Sequence, residues 1–196
     1  MSSILKVDQL QDSGGNAIIT SDGAGNLTAG TIPAKTIGTG AVLQVVSTIK
    51  TDTFSTTAGG SSPVAITGLT ATITPSSTSS KILVMPHLNV GMSGDNHVGF
   101  KILRDTTEIA IGDAASNRPR VSFTGSIGAS GKEWFTVASS FNFLDSPSTT
   151  SATTYSLKVG GNGSTTIYIN RSGRDSNNTN EDGRYASTMT LMEIAG

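Results

Sequence analysis

Three features of the sequence predict an all-β fold, an antiparallel two-sheet sandwich of jelly-roll type preceded by a short extended N-terminal segment. Apolar residues recur at every second position through much of residues 42–194, which is the period of a strand. The runs are short and are separated by Gly, Pro, Asn, Asp and Ser clusters of the kind that turn a chain between strands. No segment carries the apolar stripe of an amphipathic helix. Ser, Thr and Gly together make up roughly two-fifths of the chain, a composition that suits strands and turns.

The N-terminal segment, residues 1–40, comes first. Ile4, Leu5, Val7 and Leu10 begin a β-type run, a Ser-Gly-Gly-Asn sequence at 13–16 breaks it, and residues 17–20, with Ile18 and Ile19, resume it. Residues 21–26 turn the chain again into Leu27 and Thr28. Strands this short are marginal alone in water, so the segment calls for neighbouring copies or a larger body to dock on. Residues 29–40, with Pro33, suit an extended connector.

The second region, residues 41–196, is long enough for one core. Alternation predicts a long strand over 42–53 and two short ones over 64–67 and 69–74, split at Gly68. Residues 81–92 are apolar on both faces, so that strand lies inside a sandwich or an interface. Pro86 within it cannot donate to a ladder, which predicts an edge position or a bulge. A hairpin over 98–111 turns at 104–107. Further strands are expected over 120–124, 134–144, 155–159, 167–170 and 187–194.

Charge excludes several classes of partner. Thirteen basic residues are offset by fourteen acidic ones, the net charge is −1, and neither sign forms a long run, so neither nucleic acid nor an anionic membrane is an expected partner. There is no cysteine, hence neither a disulfide framework nor a thiolate metal site. The N-terminus lacks a basic start and apolar stretch, and no run approaches a membrane span, so synthesis in the cytosol without membrane insertion is expected.

No motif for catalysis, a cofactor or a metal emerges. His87 and His97 are the only histidines, and His87 falls on a strand with Leu83 and Met85, where a partly buried, hydrogen-bonded role is the simpler reading than a metal site. The Gly-rich stretches at 59–60 and 160–163 lack the lysine and helix of a phosphate loop and read as turns. Residues 22–26 lack the ligands of a calcium loop and also read as a turn. Scattered carboxylates at Asp95, Asp113, Glu133 and Asp145 give no sign of a glycosidase pair. An enzyme is not expected, and neither is a cofactor.

Two polar loops offer a binding surface. Residues 171–185 carry Arg171, Arg174, Asp175, Asn177, Asn178, Asp182 and Arg184, with Tyr185 for stacking on a sugar ring. The set suits a hydroxyl-rich glycan, and it equally suits a solvated loop. Arg118 and Arg120, around Pro119, form the second candidate, with salt bridges between subunits as the competing use.

Three stretches resemble a known family. ILKVDQLQDSGGNAIITSDGAGNLT resembles the opening of tail-fibre and head-appendage proteins of tailed bacteriophages. SKILVMPHLNVGMSGDNHVGFKILRDTTEIAIGD, with DSPSTTSATTYSLKVGGNG and TMTLMEIAG, resembles the globular head of such fibres, similar in layout to the trimeric jelly rolls of C1q and tumour necrosis factor. The resemblance implies a homotrimeric virion appendage bound to other virion proteins through its N-terminus, with its head facing outward. The 196 residues leave no room for the shaft of a long tail fibre, which favours a short fibre, a capsid decoration or head fibre, or a tail-tip piece carried on a longer protein. Three copies pairing about an axis would also complete an N-terminal segment that cannot fold alone, which makes Ile4, Leu5, Val7, Leu10, Ile18, Ile19 and Leu27 the expected attachment and trimerisation residues. An alternative is a tail adhesin that attaches to the host by binding surface glycan through its head loops.

Overall fold

A computed structural model describes residues 9–24, 27–29, 38–127, 133–177 and 180–196. The chain divides into two compact units, residues 1–41 with Ala195 and residues 42–194 with Gly196. Ile4, Leu5 and Val7 and most of the expected connector lie outside the described residues.

The first unit holds a three-stranded antiparallel meander of β1 (Gln9–Gln11), β2 (Ala17–Ser21) and β3 (Leu27–Ala29). Side-chain acceptors close its turns. Asp12 Oδ1 accepts from the backbone N–H of Gly14 at 2.8 Å and of Asn16 at 2.9 Å, while Gly15 takes the left-handed φ of 80° that the turn requires. The Asn16 side chain and then its backbone N–H hold the Asp12 carboxyl below the usual range. In the second turn Asp22 Oδ1 accepts from Ala24 N–H at 2.8 Å, the turn expected of residues 22–26. Leu10 faces Ile19 across the β1–β2 ladder, yet Leu10 is 51% exposed and Ile18 is 47% exposed. Among its described side chains, Leu10, Ile18 and Ile19 stand exposed.

In the second unit the strands are β4 (Val42–Lys50), β5 (Phe54–Thr56), β6 (Val64–Ile73), β7 (Lys81–Met92), β8 (Asn96–Arg104), β9 (Thr107–Ile109) and β10 (Phe123–Ile127). They continue with β11 (Thr136–Ser140), β12 (Phe143–Asp145), β13 (Thr153–Gly160), β14 (Ile167–Ile169) and β15 (Ser187–Ile194). Every pairing among them is antiparallel. Several lie end to end as halves of one longer strand. β15 and β14 line one side of β7, while β12 and β11 line the other. β4 and β5 flank β15 and β14, and β9 and β10 share one side of β8.

Merging these halves leaves two four-row sheets. The first runs β4/β5, β15/β14, β7, β12/β11, and the second runs β6, β13, β8, β9/β10. Consecutive rows of the chain alternate between the sheets except at β8 and β9/β10, which are neighbours in the second sheet, and each sheet interleaves early with late strands. That order is the double Greek key of an eight-stranded jelly roll. The fold is an all-β jelly-roll sandwich, as the alternation predicts.

The core lies between the sheets. Ile82, Val84, Leu88 and Val90 of β7 and Met189 and Leu191 of β15 face Phe100, Ile102, Tyr155, Leu157 and Val159 of the second sheet, all closed to solvent. Phe100, Phe123 and Phe141 stack in series, with centroids 4.9 and 5.6 Å apart.

Three local expectations change. Gly68 does not split two strands: it bulges a single β6 at φ 76°, where the register shifts and the buried phase moves from Ile66 to Leu69. Pro86 sits in a central strand without a register shift. Its missing donor falls opposite Phe141, whose N–H still reaches Pro86 O at 3.4 Å, and there β11 and β12 part. The strand expected at 120–124 begins only at Phe123, because Arg120 belongs to the preceding loop.

Candidate functional site

The loop at 171–186 is an excursion from a strand that would otherwise run straight on. β14 ends with Ile169 opposite Val90, the pairing of β15 with β7 starts with Thr188 opposite His87, and Asn170 N–H donates to Asn89 O at 2.9 Å between them. Asn170 closes the neck. It is fully buried at φ 67°, a left-handed conformation that Asn tolerates better than most residues. Its Nδ2 donates to Lys50 O at 2.7 Å and Asp52 O at 3.0 Å, and its Oδ1 accepts from Ser187 Oγ at 2.6 Å. Gly91 lies beneath the neck, where a Cβ would come within 2.3 Å of Arg171 O.

Within the excursion the charged groups satisfy one another. Asp182, with its side chain closed to solvent, accepts from Ser172 Oγ at 2.6 Å, Ser176 Oγ at 2.5 Å and Arg174 Nε at 2.9 Å. The Ser172 and Ser176 hydroxyls, followed by Arg174, hold its pKa well below the carboxylate range. Asp175 pairs with Arg171 at 2.9 Å and with Arg184, and Arg174 also pairs with Glu181. Arg171 stacks on Tyr168, 3.8 Å from the ring centroid. Asn177 is exposed, and Asn178 lies outside the described residues.

Tyr185, the residue expected to stack on a sugar, is half-buried against Gly183, and its N–H closes the neck on Asn170 O at 3.1 Å. The exposed aromatic beside this loop is instead Trp134, 40% accessible, tilted on Phe135 and 5.6 Å below the Arg174 guanidinium. Nothing in the alternation of residues 134–144 marks that contact.

Arg118 and Arg120 occupy a different place. They line a cleft of about 330 Å³ on the outer side of the second sheet, with Lys101 of β8, Glu108 of β9 and Gly60, Ser61 and Pro119. Lys101 Nζ reaches both Glu108 oxygens, at 3.0 and 2.9 Å, and Arg120 Nε donates to Gly112 O at 2.7 Å. Beside it Pro119, Val121, His97 and Gly160 line a smaller hollow of about 110 Å³. The structure therefore separates the two candidate loops, which the sequence leaves unplaced.

The outer side of the first sheet has the opposite character. Val45, Met192, Leu83 and Leu144 face one another across four rows. Val45 is 54% exposed and Leu144 is 47% exposed, and Ile49 beyond them is 62% exposed. The next rows are Ser47, Thr190 and Met85, then Ile49, Thr188, His87 and Ser140. No side chain in these three rows carries a fixed charge.

The histidines lie apart. His87 is exposed on the first sheet, its Nδ1 3.3 Å from Ser140 Oγ, so the partly buried position expected of it is not observed. His97 belongs to β8 of the second sheet. Among the described residues no three His, Asp or Glu side chains gather as a metal site, and no helix is long and apolar enough to cross a membrane. Asp145, a buried carboxylate, serves the core: it accepts from Tyr155 Oη at 2.7 Å and from Arg104 Nη1 at 2.9 Å.

No protein-family model and no curated protein matches the sequence. Among solved structures, the VP2 subviral particle of infectious bursal disease virus aligns with a TM-score of 0.41 and 12% identity, over 78% of this chain and 38% of that one. The structure of the Gx strain of that virus aligns with a TM-score of 0.39 and 13% identity, over 78% and 41%. The chain spans about two-fifths of the length of either match. The jelly-roll assignment rests on strand order and takes nothing from these likenesses.

Proposed function

We propose that the protein is a structural component of a tailed-phage virion, a short homotrimeric fibre or capsid decoration anchored through its N-terminal segment. The phage class and the number three come from the family resemblance of the sequence. Self-association is supported by one observation, the uncharged apolar row of Val45, Met192, Leu83 and Leu144 on the outer face of the first sheet. A second copy is the occupant that such a face fits best, because it offers neither a charge nor a groove to a small or polar partner. The N-terminal meander supports the anchoring role, since Leu10, Ile18 and Ile19 stand uncovered.

Light scattering on the full chain tests the assembly. The expected mass is about three times the 20.0 kDa of one chain, and Val45→Glu with Leu83→Glu should reduce it to one. A monomeric wild type refutes the assembly. Deleting residues 1–30 tests the anchor: the head should remain soluble and lose its place on virions, and full occupancy by the truncated chain refutes that role. A second reading, recognition of host-surface glycan, is favoured by the open cleft at Arg118 and Arg120 more than by the loop at 171–186, whose charges are engaged with one another.

A further inference from the structure

We infer that the cleft lined by Arg118, Arg120 and Lys101 takes the acidic group of a saccharide, a carboxylate or a phosphate carried on a hydroxylated ring. The inference rests on reading this cleft as a recognition site and is independent of how the protein joins a virion. Glu108 is the one acidic residue in the lining, and its two oxygens are spent on Lys101. Among the described residues Arg118 has no ion-pair partner, and Arg120 uses only Nε, on Gly112 O. Both arginines line an open space of about 330 Å³, within the usual size of small-ligand pockets.

A second observation points the same way. Lys158 of β13 stands directly opposite Lys101 across the ladder, and among the described residues no carboxylate pairs with Lys158. Glu108 offsets the Lys101 charge, so the opposed pair keeps one net positive charge, that of Lys158, next to a residue of the cleft wall. The ring chemistry follows from the other walls. Ser61, Ser116 and Asn117 supply hydroxyl and amide groups around the cations, which match sugar hydroxyls better than an apolar acid.

The cleft is also held in shape. Gly60 N–H donates to Gly161 O at 2.7 Å, Gly161 N–H donates to Ala58 O at 2.8 Å, and a Cβ on Gly60 would sit 3.0 Å from Pro119. The close approach of Gly60 seats Pro119, and with it the two flanking arginines. A planar guanidinium so placed binds a carboxylate or phosphate with two parallel hydrogen bonds.

The test uses the full chain and four probes: an oligogalacturonate, its methyl ester, a hexose 6-phosphate and inorganic phosphate, each measured by calorimetric titration. At least one acidic sugar should bind, and the methyl ester should bind at least about tenfold more weakly, the scale of a charge-assisted contact. Arg118→Ala should weaken the acidic sugar by a similar factor, while Lys81→Ala, at the exposed start of β7 in the first sheet, should leave it unchanged. Preference for the oligogalacturonate or for the hexose phosphate identifies which acid the cleft takes. Equal binding of acid and ester leaves recognition standing and overturns the acidic class. Inorganic phosphate binding as tightly as the hexose phosphate, with no binding of the oligogalacturonate, overturns the saccharide. No binding of any sugar overturns both the inference and the recognition reading.

Discussion

Replacing Asn170 with Ala should cost about 4 kcal/mol and open the loop at 171–186 before the rest of the sandwich unfolds. The side chain is fully buried and makes three hydrogen bonds, to Lys50 O, Asp52 O and Ser187 Oγ. Each buried bond lost contributes about 1 kcal/mol net, since two carbonyls and a hydroxyl keep no water in exchange. Ala at the left-handed φ of 67° adds about 1 kcal/mol that Asn does not incur. With a urea slope of about 2 kcal/mol/M, the unfolding midpoint should fall by about 2 M.

Asn170→Gly separates the two contributions, because it loses the same bonds and accepts the backbone freely, so it should be about 1 kcal/mol more stable than the Ala variant. Urea titrations are run at one fixed protein concentration, because the proposed assembly would add to apparent stability. Trypsin supplies the local readout. Arg171, Arg174 and Arg184 lie in the excursion, and cleavage there should accelerate in both variants under conditions where the sandwich persists. A midpoint shift below about 0.5 M, or a Gly variant less stable than Ala, refutes the account of the neck.

Three further outcomes follow from the same contacts. Burial would raise the Glu193 pKa, but hydrogen bonds from Ser76 and Gln44 outweigh it and hold the carboxyl below its ordinary value, so its contribution is present above about pH 4 and is lost on acidification. Glu193→Gln should therefore cost about 1–2 kcal/mol at neutral pH and flatten the acid limb of a stability-against-pH curve; an unchanged acid limb counts against it. Tyr155→Phe should cost about 1–2 kcal/mol in chemical denaturation, because Asp145 loses one buried donor and keeps Arg104; no loss would show that the hydroxyl is dispensable. Gly91→Ala, with a Cβ 2.3 Å from Arg171 O, should speed tryptic cleavage of the excursion; an unchanged cleavage rate refutes the close approach.

Alternation made most of the sandwich legible. The strand at 187–194 and the hairpin over 98–111 follow from period-two patterning and turn residues alone. Pro86 was misleading because a local rule places proline at edges, whereas here the ladder opens for a single residue on one side only. Loop chemistry was less legible. Residues 171–185 read as a free polar surface, since sequence lists donors and acceptors without showing that Asp182, Asp175 and their arginines would satisfy one another. The cleft at Arg118 and Arg120 needed tertiary structure, because Lys101, Glu108 and Ser61 come from separate elements and share no spacing.

What fixes the register of β15 is then a question that hydrophobicity alone does not answer. A slip of one residue would exchange its faces. The inner set is Ser187, Met189, Leu191 and Glu193, and the outer set is Thr188, Thr190, Met192 and Ile194, so the slipped strand would still present Met and Ile to the core. Burial of apolar area discriminates only weakly between the two. The polar ends discriminate strongly. In register, Ser187 donates to Asn170 and accepts from Asn89 N–H at one end, while Glu193 meets Ser76 and Gln44 at the other. A slip would strand Asn170 and the N–H of Ser76 without these partners and turn a carboxylate toward the apolar outer row. Because both faces of this strand are apolar enough to bury, it is the buried polar groups at its two ends that decide which face meets the core and which stays outside.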